Sequence, residues 1–359
     1  MKKFLSLVLA LVMTMSLVTV SAGAKDFTDD DSITYQEAVD VISEIGVVDG
    51  YTGGDFKPTE VLTRGAAAKI ICNLILGPTT ASALVADAAP YKDVPTNHTF
   101  AGYIAYCQKT GIISGYADGT FKPAATLTGY AFMKMLLGAL GYDAEVEQYT
   151  GANWSINVAK RALNIGLADD LEGDFNGVKA VNREEACLYA FNTLKATMVE
   201  YDKNSTVIVG NITIKEQSDA KEMANTGKTD GNIDKDGKMQ FAEKYFEDLK
   251  LDKTSDDFGR PANKWNVKKE EVGTYANTPD ATFTKKVTKA DVYNAIGKTV
   301  YDDLKDGDAT LTTYFDGDGT KVKAADVDST WANKNDTGKV NSTGNGDLTE
   351  IYVDDDNNV

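Results

Sequence analysis

The chain has 359 residues, enough for two or three domains, and its 37 basic against 54 acidic residues give a net charge of −17. Such an acidic surface repels nucleic acid and anionic membrane, so neither is an expected partner. One histidine, His98, and three widely spaced cysteines, Cys72, Cys107 and Cys187, supply no Ser/His/Asp or Cys/His apparatus, no zinc motif and no disulfide framework. Each cysteine lies among apolar neighbours in a segment that reads as helix, where a small buried side chain is expected.

At the start of the chain, Lys2 and Lys3 precede an apolar run from Phe4 to Val20, and Ala22-Gly23-Ala24 follows it. This is the layout of a secretory signal peptide (1–24), with cleavage expected after Ala24 and export of the remainder. A membrane anchor is the other reading, but a spanning helix needs about 20 apolar residues. Nothing later is long and apolar enough to span a bilayer, so no membrane contact is expected after cleavage.

The next feature is internal self-similarity. Gly50-Tyr51-Thr52-Gly53-Gly54-Asp55-Phe56-Lys57-Pro58, followed by Leu62-Thr63, returns 65 residues later as Gly115-Tyr116-Ala117-Asp118-Gly119-Thr120-Phe121-Lys122-Pro123, followed by Leu127-Thr128. A weaker third copy runs through Asn164-Ile165-Gly166-Leu167, Gly173-Asp174-Phe175 and Asn182-Arg183-Glu184-Glu185. Each copy reads as helix, loop, helix. Ala38, Val39, Ile42 and Ile45 recur at helical spacing ahead of Gly46; Ala101, Ile104 and Ala105 precede Gly111, and Val158, Ala159, Ala162 and Leu163 precede Gly166. These glycines stand where left-handed C-caps end a helix. In the loops, Tyr and Phe are expected to plug onto the helices. Thr63 and Thr128 are expected N-caps, and Asn182 with Glu185 a capping box. A helical pair of about 50 residues cannot bury both helices alone, so one compact helical unit with grooves between copies is expected over about 25–194.

These residues resemble the S-layer homology domain family: an aromatic-led first helix, the Gly-Tyr-x-x-Gly-x-Phe-Lys-Pro loop, then Leu62-Thr63-Arg64 opening a second helix. The resemblance covers about half the chain and divides it into copies at 25–79, 88–141 and 142–198. It implies an all-α, three-repeat bundle of pseudo-three-fold symmetry, anchored without covalent bonds to secondary cell-wall polysaccharide, commonly bearing pyruvate ketals, outside a Gram-positive-type bacterium. The family's helix-opening motif is Thr-Arg-Ala-Glu, whose arginine reaches the ligand carboxylate. Here Thr63-Arg64-Gly65-Ala66 keeps the arginine, Thr128-Gly129-Tyr130-Ala131 loses it, and Asn182-Arg183-Glu184-Glu185 keeps it. The leading aromatics are Tyr35, Phe100 and Trp154. The expected polysaccharide-binding residues are therefore Arg64, Arg183, Trp154, Tyr51, Tyr116, Gly50 and Gly115, with the groove at Gly129 lacking its cation. The physical expectation is that an arginine in a first helical turn joins free backbone N–H groups and the helix dipole to hold a carboxylate. The plainer alternative pairs Arg64 and Arg183 with carboxylates of this acidic chain itself.

From 199 to 359 the pattern reads as a loop-rich α+β region. Thr206–Val209 and Ile212–Ile214 flank Gly210-Asn211 as a hairpin. A short helix is expected over Gln240–Leu249, a second after the cap Thr288 with Val292, Ala295 and Ile296 inward, and another hairpin over Leu311–Val322. Asn232, Asp234, Asp236 and Glu243, with Gly237, match a calcium-loop pattern of oxygen ligands; the preceding Ala220–Thr226 is a poor entering helix, and Asp-Gly turns also occur for conformational reasons. Apart from that calcium candidate no cofactor is expected. Leu348–Val353 reads as a strand without a visible partner, which suggests a truncated chain.

The leading functional expectation is a non-enzymatic surface protein, such as an S-layer subunit that self-assembles into a lattice. The rival is a wall-bound glycan or peptidoglycan hydrolase whose catalytic part is C-terminal or missing. Carboxylates are so abundant that no catalytic pair stands out.

Overall fold

The computed structural model describes residues 25–202, 206–209, 212–215, 219–315, 318–340, 348–354 and 356–359. The expected signal peptide and the turn residues Gly210, Asn211, Asp316 and Gly317 lie outside the described residues. The first half is helical: α1 (Gln36–Glu44), α2 (Arg64–Leu76), the short α3 (Pro78–Ser82), α4 (Ala101–Lys109), α5 (Gly129–Ala139), α6 (Trp154–Asn164) and α7 (Arg183–Lys195). The helices α1, α4 and α6 end as their sequences predict. Gly46, Gly111 and Gly166 have φ of 75°, 75° and 74°, and the next N–H reaches back to the carbonyl of Ile42, Cys107 or Ala162. The helices α2, α5 and α7 open on their expected caps. Thr63 Oγ1 accepts from the Ala66 N–H, Thr128 Oγ1 from that of Ala131, and Asn182 forms a capping box with Glu185.

The segments that lead into α2, α5 and α7 are tied to one another in a closed ring. The Leu62 N–H donates to Val181 O at 2.8 Å, Leu127 N–H to Leu62 O at 3.0 Å, and Val181 N–H to Leu127 O at 3.0 Å. The side chains of Leu62, Leu127 and Val181 are each 2 % exposed, so these bonds lie in the core, where a missing partner would leave a costly unsatisfied amide. The ring interleaves the helical pairs: each entry segment is completed by two others.

The loops that follow α1 and α4 are held by a device the motif reading missed. Asp29 accepts from the N–H groups of Phe56 (2.7 Å) and Lys57 (2.8 Å), and Asp93 accepts from those of Phe121 (2.8 Å) and Lys122 (2.7 Å). Lys57 and Lys122 both sit at φ 58°, the left-handed region that non-glycine residues avoid, and each carboxylate fixes the amide at that strained residue. Only the phenylalanines plug the core: Phe56 and Phe121 are buried beneath Phe27 and Tyr91, whereas Tyr51 and Tyr116 are 39 % and 45 % exposed. The expectation that the tyrosines would also plug is corrected; their rings lie over cations at the surface.

Beyond α7 come β1 (Val199–Glu200), β2 (Thr206–Val209), β3 (Ile212–Lys215), β4 (Lys221–Glu222), α8 (Phe241–Tyr245), β5 (Leu249–Ser255), β6 (Pro261–Val267), β7 (Glu270–Ala276), β8 (Ala281–Phe283), α9 (Lys289–Asp306), β9 (Leu311–Phe315), β10 (Asp318–Val322) and β11 (Thr349–Ile351). This is the α+β character expected. Both hairpins form, β2 against β3 and β9 against β10, antiparallel. The helix expected over Gln240–Leu249 is shorter, because Phe246 leaves helical geometry at φ −134° and Leu249 opens a strand. No helix enters the Asn232 loop, where β4 stands instead. The last strand is not without a partner, as expected from sequence: β11 pairs antiparallel with β8.

Two compact units result. One comprises Ser21–Asp252 with Trp265–Gly273, and so runs on past the helices. Phe191 packs edge-on to the fully buried Trp265, whose indole N–H donates to Glu37. The other comprises Lys253–Lys264 and Thr274–Val359. In it α9, capped by Thr288 and Asp291, turns Val292, Ile296, Val300 and Leu304 into a core with Leu311, Val327 and Ile351. Among the described residues no helix is long and apolar enough to cross a membrane.

The two aspartates make loop stability depend on pH. Partial burial pushes their carboxyls up, but the backbone N–H donors at Phe56/Lys57 and Phe121/Lys122 outweigh it and hold both below the ordinary carboxylate value. A depressed folded-state pKa stabilises above the unfolded value, about 3.9 for aspartate, and is lost as pH falls through the folded value. Asp93→Asn should therefore lower the melting temperature at pH 7, with the gap to the parent chain closing below about pH 4. A gap independent of pH, read by calorimetry, would contradict this role.

Candidate functional site: a cationic aromatic groove

Arg64 is the first residue of α2, and its guanidinium reaches across to the loop after α4. Its Nε–H donates to Phe121 O at 2.8 Å and Nη2 to Ser114 O at 3.4 Å, while the guanidinium carbon lies 4.3 Å from the Phe121 ring centroid and 5.1 Å from that of Tyr116. Arg183, the first residue of α7, does the same to the loop after α1. Its Nε–H donates to Phe56 O at 2.8 Å and Nη2 to Asp49 O at 2.9 Å, with the Phe56 and Tyr51 centroids at 4.7 and 4.8 Å. Lys57 and Lys122 lie over Tyr51 and Tyr116, each at 4.4 Å, so both tyrosines face two cations. Among the described residues neither arginine forms an ion pair with a carboxylate.

The supporting role expected of free helix-terminal amides does not hold. Arg64 N–H is taken by Ala125 O and Gly65 N–H by Pro123 O; Arg183 N–H is taken by Glu60 O and Glu184 N–H by Pro58 O. Carbonyls of the neighbouring loop segments consume these donors. What remains available is the guanidinium itself, which has five N–H donors in a planar fork, two of them used on loop carbonyls.

At α5 the corresponding position is Gly129, and no side chain could be added there without crowding. A Cβ would stand 3.1 Å from Gly177 and 3.2 Å from the Phe175 ring. Tyr130 fills this seam instead, edge-on to Phe175 at 5.9 Å and to Trp154 at 6.4 Å. Gly50 and Gly115 are likewise packing positions. A Cβ at Gly115 would meet the Tyr91 ring at 2.3 Å and Thr120 O at 2.7 Å, and one at Gly50 would meet the Phe27 ring at 2.7 Å.

Arg64, Tyr116 and Trp154 come together in one groove of about 450 Å³, to which Thr128, Lys134 and Tyr149 also contribute. Lys134, on α5, lies 5.7 Å from the Trp154 ring centroid, and burial pushes its ammonium below the ordinary lysine value. Sequence reading missed this residue, although a single lysine inside Ala131-Phe132-Met133-Lys134-Met135-Leu136 was a usable signal. Among the described residues no aspartate or glutamate lines the groove. Its lining offers cations, Arg64 and Lys134, to an acidic group and aromatic rings to an apolar sugar face. Arg183 and Tyr51 meet at a separate seam.

Three of the four candidate calcium ligands are engaged by groups of the chain itself. Glu243 is buried, and its carboxylate accepts from Asn225 Nδ2 and from the N–H groups of Gly231 and Ile233. Asn232 gives its amide to Glu247 O, and Asp236 accepts from Lys238 N–H and Gln240 Nε2. Among the described residues no group of three His, Cys, Asp or Glu side chains is placed to hold a metal ion.

The family model for the S-layer homology domain matches residues 26–68 and 90–129, the segments that hold Arg64 with its loop partner Phe121. The chain carries S-layer homology domains. It is 25 % identical over 219 residues to a surface layer protein of Brevibacillus choshinensis, covering 59 % of this chain and 18 % of that one. It is 36 % identical over 101 residues, 28 % of this chain, to a cellulosome-anchoring protein of Acetivibrio thermocellus, of which it covers 22 %. A protein of Bacillus anthracis named as an uncharacterized cell wall amidase is 26 % identical over 180 residues, 48 % of this chain and 32 % of that protein. The chain thus spans about a fifth to a third of the length of these relatives.

Gly115→Ala should lower the melting temperature by several degrees, the consequence of overpacking that costs about 1–3 kcal/mol. Tyr116→Ala, at an exposed ring, should leave it within about 2 °C. Equal losses in a thermal melt would remove the packing role given to the glycine.

Proposed function

We propose that this chain anchors a surface protein, without covalent bonds, to an acidic secondary cell-wall polysaccharide on the outside of a Gram-positive-type bacterium. The helical half acts as three diverged repeats around the hydrogen-bonded ring, and Arg64, Lys134, Tyr116 and Trp154 form its principal ligand groove. A pyruvate-ketal carboxylate would pair with the two cations, and Arg183 with Tyr51 would form a second site. The carrying observation is electrostatic. In a chain of net charge −17, Arg64 and Lys134 share one groove with no carboxylate lining it. Desolvating unpaired cations is unfavourable, so a groove that keeps two of them is suited to an anion from outside. The surface-layer and anchoring names of the relatives support this reading, and a lattice-forming, non-enzymatic role fits the same relatives.

A second reading, a wall-bound hydrolase, has one observation in its favour: the relative named as a cell wall amidase. On that reading the groove still anchors, and the chemistry resides elsewhere.

Co-sedimentation with purified wall sacculi tests the proposal. Arg64→Ala and Lys134→Ala should each weaken retention about tenfold, equivalent to about 1.4 kcal/mol, Arg183→Ala should weaken it as well, and sacculi stripped of polysaccharide should retain little. Full retention by a folded Arg64→Ala/Arg183→Ala double variant would refute it.

A further inference from the structure

Two of the three cysteines stand together. Cys72 on α2 and Cys107 on α4 are 35 residues apart in sequence, yet their Sγ atoms are 3.6 Å apart in the core between the two helices, and both residues are fully buried. Each sulfur also has a polar contact on the opposite helix. Cys72 Sγ–H points to Tyr103 O at 3.5 Å, and Cys107 Sγ–H points to Ala68 O at 3.7 Å. The third thiol, Cys187, is buried on α7. No group of three metal-ligating side chains exists among the described residues, so the pair is not part of a metal site of that kind. Both thiols are reduced in this structure.

We propose that Cys72 and Cys107 are an oxidisable pair that closes into a disulfide when the chain folds against an external low-molecular-weight disulfide, stapling α2 to α4. The sulfurs are already in contact, and a bond length of about 2.05 Å requires an approach of about 1.5 Å. Two exchange steps make the bond. First, the thiolate of one cysteine attacks the external disulfide, giving a mixed disulfide and one released thiolate. The second cysteine's thiolate then attacks the protein-side sulfur of that mixed disulfide, the Cys72–Cys107 bond forms, and a second thiolate leaves. The two protein thiols lose two electrons, the reagent's S–S bond gains them, and the two thiol protons end on the two released thiols.

Timing follows from burial. The hydrogen bond with Cys107, and then burial, push the Cys72 thiol well above its ordinary value. Once the core has closed, the Cys72 thiol is held protonated and both sulfurs are screened from reagent. Closure therefore belongs to folding, and an exported chain folds where such exchange is available. The staple would lock the base of the two helices that carry Arg64 and the Phe121 loop, independently of whether the groove binds polysaccharide.

The full chain, unfolded in denaturant with its thiols reduced, is refolded in a mixture of reduced and oxidised glutathione; remaining thiols are then alkylated in denaturant and the chain is digested for mass spectrometry. The expected product has one alkylated cysteine, Cys187, one cross-linked Cys72–Cys107 peptide and no glutathione adduct. Its melting temperature should be roughly 10 °C above that of the same chain refolded with reductant, for a closed loop of this size. Cys107→Ala refolded in the same way should show no cross-link and no dependence of its melting temperature on oxidant. Three alkylated cysteines, a bond involving Cys187, stable glutathione adducts at Cys72 or Cys107, or a cross-link that lowers the melting temperature would each overturn the proposal. Wall retention is not read, so the outcome is separate from that of the anchoring test.

Discussion

The ring of three backbone hydrogen bonds through Leu62, Leu127 and Val181 is the constraint on which the helical half depends. Each bond joins segments from different helical pairs, so no pair is complete alone. The ring sets the start of α2, α5 and α7 at a common centre and fixes where their first side chains emerge. Arg64 and Arg183 consequently lie over the loop of another pair, and their positions on the rings of Phe121 and Phe56 follow from backbone pairing. Beside the ring, the first amides of α2 and α7 are taken by the carbonyls of Ala125, Pro123, Glu60 and Pro58.

A seam that is cationic in one place and aromatic in another follows from a single residue type at a fixed position. Where the entry helix opens with arginine, the guanidinium occupies the space above the loop phenylalanine. Where it opens with Gly129, the backbone itself approaches Phe175 and Gly177, and Tyr130 covers the seam. The groove at Arg64 gains a second cation from Lys134, which is distant in sequence but lines the same groove. Local pairing thus leaves Arg64 and Lys134 in one groove of a chain that is strongly acidic as a whole.

Much of this was legible in the residues. Capping and C-cap positions follow local rules, so Thr63, Thr128, Asn182 and the glycines after α1, α4 and α6 could be assigned from spacing alone. The ring and the aspartate clamps could not, because they join residues far apart in sequence and use backbone groups that every residue has. Tyr51 is expected from its loop motif to plug onto the helices, whereas in the structure the face of its ring meets cations. The three-stranded sheet of β5, β6 and β7 escaped notice for a different reason. β5 buries only its first residue, Leu249, and β6 buries Ala262 and Trp265 three apart. Neither gives the period-two alternation by which a strand is recognised. The calcium pattern matched in sequence, yet Glu243 spends its carboxylate on the amides of its own loop.

The most direct test of the account is an NMR titration of the chain with a fragment of pyruvylated wall polysaccharide, observing the Arg64 Nε–H and Trp154 indole N–H resonances. The account predicts saturable shifts of both at the same ligand concentration, abolished by removal of the ketal carboxylate. Saturable binding that leaves both resonances unmoved would contradict it.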